Sequence, residues 1–348
     1  MHTGEVTPRQ QDNRKATVIR SVEITGFRGI RQGQLDKLTP IVILVGGNGS
    51  GKSSVLDAIH IAGNKNPFPG LKFSVERRQG TARGGKWLVY RGAPSVSARI
   101  DLSTDGRKSR VIVSQTEPVS GSVIVCEGWH ESLANEFDKG VVSQIFVSDT
   151  GLVSYPDAPI HFPHNPAIQF LDARTMRGMA LHRLYTRVLE LGQRDRLTKM
   201  VKSLFPALST LEILAEGDRP TVYLTFQDYA VPAAIAGDGI YWILQLACEA
   251  AALGDGVLLI EEPETHLSPV AMQQLVRIFR TAASVGTQII FSTHSLELID
   301  LLIADATQGD LDNLSLYHLR LDDGKLTSTR FAGSEVVTGR LQAEIDLR

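Results

Sequence analysis

The 348-residue sequence predicts an α/β fold of two lobes, one a parallel sheet with helices and the other antiparallel β. Three observations carry this. Ile41–Val45, 257–260 and Gln288–Ser292 are short, largely apolar runs, each leading toward a helical pattern, as strands buried on both faces of a parallel sheet require. Between 86 and 147 the runs KWLVYR, VSARIDL, SRVIVSQ, SVIVCEG and VVSQIFVSD follow one another with turns between them, a hairpin pattern. A glycine-rich loop, GGNGSGKSS at 46–54, lies between the first buried run and a helix.

The elements follow in order. Residues 1–16 are polar, lack a signal-peptide apolar stretch and read as a disordered arm. The segment 17–25 alternates apolar and polar side chains as a half-buried strand does, and Gly26-Phe27-Arg28-Gly29-Ile30 turns into a second short segment, GQLDKL. Residues 52–62 form a helix with Val55, Leu56 and Ile59 on one face, whereas 64–85, rich in proline, glycine and basic residues, reads as a loop. After the antiparallel runs, 168–173 leads into helical spacing over 176–205, a short helical insertion at about 172–207. LEILAEG and TVYLTF are short strands, and 239–253, 269–283 and 295–304 are helices. Two strands around Asp322-Asp323-Gly324 and a helix near 335–345 close the chain.

Composition removes several classes of function. With 43% hydrophobic and 21% charged residues and no apolar run of spanning length, the chain is neither disordered nor membrane-embedded, and no membrane partner is expected. A net charge of −2 excludes a chain basic all over but leaves room for a local basic face. Cys126 and Cys248 lack metal-ligand spacing, which points to a reducing cytoplasm and no structural zinc.

The chemistry sits at the ends of the buried strands. Gly46, Gly47, Asn48, Gly49, Ser50, Gly51, Lys52, Ser53 and Ser54 satisfy the phosphate-loop pattern. Its glycines let backbone N–H groups converge on phosphates, Lys52 supplies a point charge for the β- and γ-phosphates, and Ser53 offers a hydroxyl to Mg²⁺. The second buried run ends in Glu261 and Glu262, the first suited to holding Mg²⁺ directly or through water, the second to acting as general base on the attacking water. His294, at the end of the third run, is placed to sense a γ-phosphate. Gly237-Asp238-Gly239 opens a helix, and two readings stay open: an Asp238 cap, or N–H groups aimed at a phosphate.

Taken together, FRGI at 27–30, GGNGSGKSS, AGDGI at 236–240, LLIEEPETHLSP at 258–269 and IIFSTHS at 289–295 resemble the ABC-type ATPases of the SMC/RecF/OLD group. The resemblance is closest to the OLD-like branch, which includes ATPases of anti-phage systems. It implies a P-loop NTPase fold, an ABC-type two-lobed ATPase head over 17–348, with ATP and Mg²⁺ as cofactors. It also implies a homodimer or higher oligomer in which Gly237, Asp238 and Gly239 press on the ATP of a partner subunit. Glu262 is then the catalytic base and His294 the switch histidine. Arg174 stands where an arginine recurs in OLD-like proteins.

The pattern departs from the family at defined points. Glu261 stands where aspartate is more usual, and Gln115 and Gln144 are the alternatives for a glutamine linking the lobes. The 44 residues after Ala304 are too few for the TOPRIM nuclease domain of OLD proteins. A regulatory ATPase acting on a separate effector, a nuclease or toxin in anti-phage defence, is the reading that follows. The alternative is a RecF/SMC-like DNA-binding ATPase of repair, supported by Arg and Lys residues at 174–202 and 65–91 that could neutralise DNA phosphates without sequence preference. A solvated helix and loop explains the same charges. A transporter subunit fits poorly, since no LSGGQ is present.

Overall fold

The computed structural model describes residues 18–77, 84–93, 96–105, 107–116, 122–131, 137–147, 153–154, 162 and 164–342. The expected N-terminal arm, and Arg78 and Arg83 of the basic loop, lie outside them. The chain begins with the hairpin β1 (Ile19–Phe27) and β2 (Ile30–Asp36), then β3 (Ile41–Val45), α1 (Lys52–Gly63) and α2 (Pro67–Glu76). The antiparallel run is β4 (Ala98–Thr104), β5 (Arg107–Thr116), β6 (Ser122–Glu131), β7 (Phe137–Val147) and β8 (Val153–Ser154). Then come β9 (Ile168–Leu171), α3 (Ala173–Arg177), α4 (Leu181–Glu190), α5 (Arg194–Leu204), and β10 (Thr210–Glu216), β11 (Arg219–Thr225) and β12 (Ala230–Pro232). The remainder is α6 (Asp238–Leu253), β13 (Val257–Glu261), α7 (Pro269–Ser284), β14 (Gln288–Ser292), α8 (Leu296–Ile303), α9 (Gln308–Asp312), β15 (Leu314–Asp322), β16 (Lys325–Ala332) and α10 (Gly333–Val337).

The parallel and antiparallel parts are one continuous sheet among the described residues, ordered β8-β7-β6-β5-β4-β1-β2-β16-β15-β3-β14-β13-β9. From β15 to β9 all neighbours are parallel, and from β8 to β2 all are antiparallel. The hairpin β15–β16 joins the two halves, pairing parallel with β3 on one side and with β2 on the other. β10–β12 form a separate three-stranded sheet.

The central strands are apolar throughout because both faces are covered. Ile41, Ile43 and Val45 join the core beneath α4–α8, and Val42 and Leu44 join the one around α1 and α2. The same alternation divides Leu258 and Ile260 from Val257 and Leu259. Helices α4 and α5 pack on α6 and α7, their apolar faces contributing Leu184, Val188, Leu197 and Val201 to the same core. The helices of the stretch expected at 172–207 therefore share the core beneath α6–α8, on the face of the sheet opposite α1 and α2.

Two local expectations differ from the structure. The stretch 64–85 holds a helix, α2, started by Asn66, whose side chain accepts from Phe68 N at 2.9 Å, with Pro67 at the first position, where a missing N–H costs nothing. Gly70 lets α2 lie directly on α1, since a Cβ there would stand 2.7 Å from the His60 carbonyl oxygen. KWLVYR is not a strand: 3₁₀ turns occupy Gly84–Leu88 and Tyr90–Gly92, and Val89 makes one isolated bridge to Phe27. Of the final helix expected near 335–345, α10 and a π turn over Thr338–Gln342 are seen, and 343–345 lie outside the described residues.

Candidate nucleotide site

Strands β3, β14 and β13 lie side by side and parallel, with Leu44 opposite Ser292 and Ser292 opposite Glu261, so their C-terminal ends deliver the motif residues to one edge. The loop 46–51 leaves β3 and enters α1. Gly46 adopts φ 139°, and a Cβ there would sit 2.4 Å from the Leu319 carbonyl oxygen, so the loop's first turn admits only glycine. Gly47, Asn48 and Gly49 are exposed at the tip. Lys52, only 6% exposed, folds over the loop and donates from Nζ to the carbonyl oxygens of Gly46 at 2.7 Å and Gly47 at 3.2 Å. Burial pulls its pKa below the usual lysine value, and the charges of Glu262, Glu261 and Glu264 oppose that shift.

Ser53 Oγ donates to Glu261 Oε1, joining the phosphate loop to β13. Glu261 Oε2 is held by Arg77 Nη1, so that this arginine, counted in the sequence only among the basic residues at 65–91 considered for DNA, is instead buried in the site. Arg77 is the C-cap of α2; its Nη2 lies 3.0 Å from Asp57 Oδ1, and Arg28 Nη2 lies 3.0 Å from Asp57 Oδ2. The arginine of FRGI thus supports the site through α1, and Arg28 also donates to the Ser74 carbonyl of α2 at 2.7 Å.

Glu262 takes a left-handed backbone, φ 49°, held by Glu262 N donating to Ser292 O at 3.0 Å. This turns its side chain outward, with Oε1 3.7 Å from His294 Nε2. Glu264 fixes the two strand ends together: its Oε1 accepts from Thr293 Oγ1 at 2.6 Å and from His294 N at 3.1 Å. Lys52, Ser53, Glu261, Glu262 and His294 are thus gathered at one edge. Ser54 lies half-buried in the first turn of α1.

Gly237, Asp238 and Gly239 stand at the start of α6, and the cavity beside Asp238 and Gly239 adjoins that of Glu261 and Glu262 through Ala173 and Thr265. Gly237 is the N-cap of α6, with φ 102° and no side-chain cap, so Asp238 is the first helical residue and the capping reading does not hold. A Cβ on Gly237 would meet nothing within 4 Å. Asp238 and Gly239 border a cavity of about 480 Å³ with Met176, Met179, Trp242 and His266. Glu261 and Glu262 instead border one of about 390 Å³ with Arg77 and Arg174. Gly239 packs against Ala271 of α7, bringing the starts of α6 and α7 together, and exposed Ile235 and Val270 flank them.

The donor set fits a nucleoside triphosphate with its metal. Beside the loop, Ser50 Oγ and Ser292 Oγ are buried without a hydrogen-bond partner among the described residues, and phosphate oxygens or their waters satisfy such atoms. Of the basic residues considered for DNA, Arg187 pairs with buried Glu249 and Arg196 with Asp255 and the Val285 carbonyl. Arg183, Arg194, Lys199 and Lys202 are exposed. The side chains of Gln115 and Gln144 lie outside the described residues. Cys126 and Cys248 are buried free thiols, and no helix among the described residues is long and apolar enough to cross a membrane.

Two segments of the chain, and its fold, are similar to known proteins. Residues 21–123 match the family model of an AAA domain, and residues 238–300 match a model described as "AAA domain, putative AbiEii toxin, Type IV TA system". The uncharacterized protein MJECL11 of Methanocaldococcus jannaschii is 29% identical over 113 residues, 32% of this chain and 98% of its own. Among solved structures, the Smc head bound to the C-winged helix domain of ScpA aligns with TM-score 0.51 at 15% identity, covering 90% of this chain and 98% of its own. The SMC head domain from Thermotoga maritima aligns over the same shares with TM-score 0.49 at 14% identity. The phosphate loop lies in one of the two segments that match AAA-domain models, Glu261, Glu262 and His294 lie in the other, and the chain has the fold of an SMC head ATPase domain.

Proposed function

We propose that the protein hydrolyses Mg²⁺·ATP at an interface shared by two copies of the chain, and that this assembly is a regulatory switch for a separate effector protein. The observation that carries the shared site is the Gly237–Gly239 turn. It presents a helix start and a glycine permissive of close approach on an open surface, while the phosphate loop, anchored at Gly46 and Lys52, leaves its tip at 47–49 exposed. The flanking Ile235, 72% exposed, and Val270, 65% exposed, are large apolar residues whose exposure a second copy would end.

Within one copy, the loop 46–54 and Lys52 hold the phosphates, and Ser53 and Glu261 hold Mg²⁺, whose charge offsets that of the phosphate oxygens during transfer. Glu262 takes the proton of the attacking water, and its outward direction, facing His294, keeps the carboxylate in contact with solvent. His294 reports the γ-phosphate through its backbone tie to Glu264. Gly237, Asp238 and Gly239 of the second copy close the open side.

Two comparisons support a protein effector: the description of the model matching 238–300 names a putative toxin, and the Smc head of the structural match is bound to a domain of ScpA. We place the effector, a nuclease or toxin, in anti-phage defence because the motifs resemble those of OLD-like ATPases. A DNA-binding repair ATPase of SMC/RecF kind is the second reading, favoured by exposed Arg183, Arg194, Lys199 and Lys202 on α4 and α5.

The shared site is tested by Asp238→Arg, which should bind ATP but neither dimerise nor turn over. Mixed with Lys52→Ala, it should regain at most one working site per pair. Sedimentation of Glu262→Gln with ATP should show a dimer; a fully loaded monomer whose specific activity is independent of concentration refutes the reading.

A further inference from the structure

We propose that Arg77 is a positioning residue that clamps the longer carboxylate of Glu261, leaving one oxygen, Oε1, to the Ser53 hydroxyl and the metal. This rests on the reading that Ser53 and Glu261 hold Mg²⁺.

Glutamate stands where the shorter aspartate would leave fewer torsions to fix, so a carboxylate at the end of β13 has one more rotatable bond to order. Arg77 supplies the ordering. One branch of its guanidinium reaches Glu261 and the other Asp57, the forked geometry that a lysine cannot reproduce. The fork is itself immobilised. Arg77 is 6% exposed and Asp57 fully buried, and the guanidinium carbon lies 4.8 Å from the centre of the Phe170 ring and 5.7 Å from that of Phe73. On the far side Arg28 occupies the other Asp57 oxygen, so Asp57 cannot turn away from its place. Glu261 therefore meets two donors from fixed directions: Arg77 on Oε2 and Ser53 on Oε1.

The arrangement has an electrostatic cost, since a cation beside a metal ligand repels the metal. Asp57 offsets it: Arg28, Arg77, Asp57 and Glu261 sum to no net charge. Arg77 thus acts on the metal through the direction of Glu261, as partners one step removed from a metal commonly do.

Mn²⁺ binding followed by electron paramagnetic resonance, with the protein saturated by a non-hydrolysable ATP analogue, separates clamp from scaffold. Arg77→Met should weaken Mn²⁺ binding by about tenfold or more, while analogue binding in EDTA stays within about twofold. Arg77→Lys, which keeps a buried charge beside Asp57, should also weaken Mn²⁺ by at least about threefold, and serves if the methionine variant fails to fold. In a Glu261→Asp background, where the shorter side chain no longer reaches Arg77, the penalty for Arg77→Met should shrink to under about threefold. Unchanged or tighter Mn²⁺ binding in the folded Arg77 variants, or an equal penalty in both backgrounds, overturns the clamp. Glu261→Ala distinguishes the underlying reading: if it binds Mn²⁺ as the parent does, the metal assignment itself has failed.

Discussion

The phosphate loop and the Gly237–Gly239 turn each place a positive-φ glycine before a helix, and each has an open tip, where a Cβ on Gly47, Gly49 or Gly237 would meet nothing, yet they are anchored differently. Gly46 is pressed against the Leu319 carbonyl, Lys52 is buried on its own loop, and Ser53 is tied to β13 through Glu261. Gly237 meets nothing that a Cβ would touch, and the residues from 234 to 238 are all exposed. The first loop is held by contacts internal to the chain, so its conformation should persist without ligand. The second gains contacts only from something outside the chain, which makes its energetics a matter of concentration.

Lys52 is where that contrast should break most severely. Lys52→Ala removes the point charge from a loop otherwise able to keep its shape, so ATP affinity in calorimetry should fall by roughly 100-fold or more. Affinity near that of the parent would mean that the anchored loop is not the phosphate site. Glu262→Gln comes next: its φ of 49° and its outward direction are unaffected by the amide, so binding should persist while kcat falls by about 10²–10⁴. Retained turnover would shift the base elsewhere, with Glu264 the nearest carboxylate on the same loop.

How far the sequence exposed this arrangement depends on how local each signal is. The strands β3, β13 and β14 and the loop at 46–54 were legible because an unbroken apolar run and a glycine pattern are each contained in a few neighbouring residues. Helix α2 was hidden because Pro67, Pro69 and Gly70 are breakers by composition, although Pro67 sits where proline is tolerated and Gly70 serves packing on α1. Arg77 read only as one charge of a basic loop, because it lies 184 positions from Glu261 and meets it only after α2 folds onto α1. Trp87 and its neighbours carried β-formers into a 3₁₀ turn, since a local propensity does not report which edge of the sheet is already taken.

The anchored side should also make its mark in acid. His60 is buried against Phe73 and Phe170, and burial, reinforced by the Arg77 charge, lowers its pKa from 6.5 to about 4. The unfolded chain therefore binds a proton between these values that the folded chain does not. Stability should be full above pH 6.5 and fall as pH drops toward 4, by about 3 kcal/mol at most. Urea unfolding at pH 7 and pH 4.5 measures this. His60→Phe, which keeps the ring contacts without a titrating nitrogen, should flatten that part of the profile. An equally steep loss in the variant would assign the acid sensitivity to other groups.

The smallest effect belongs to the open side, and it is the one that most sharpens the contrast. Ile235 is 72% exposed and contributes little to the folded monomer, so Ile235→Ser should leave the urea midpoint within the change expected of a surface site, about 0.5 kcal/mol. In the assembled pair the same side chain would be covered, and its removal should cost about 1–2 kcal/mol of association, roughly a 5- to 30-fold weaker dimer. The two readouts must come from one preparation: unfolding in the absence of nucleotide, and sedimentation of the Glu262→Gln background with ATP. A residue of an enclosed core would move the first, as the central Ile43 should. A residue of an interface moves only the second. Should Ile235→Ser leave both unchanged, the apolar surface beside Gly237 would have no part in pairing, and the contacts that close the site would have to come from Asp238 and Val270 alone.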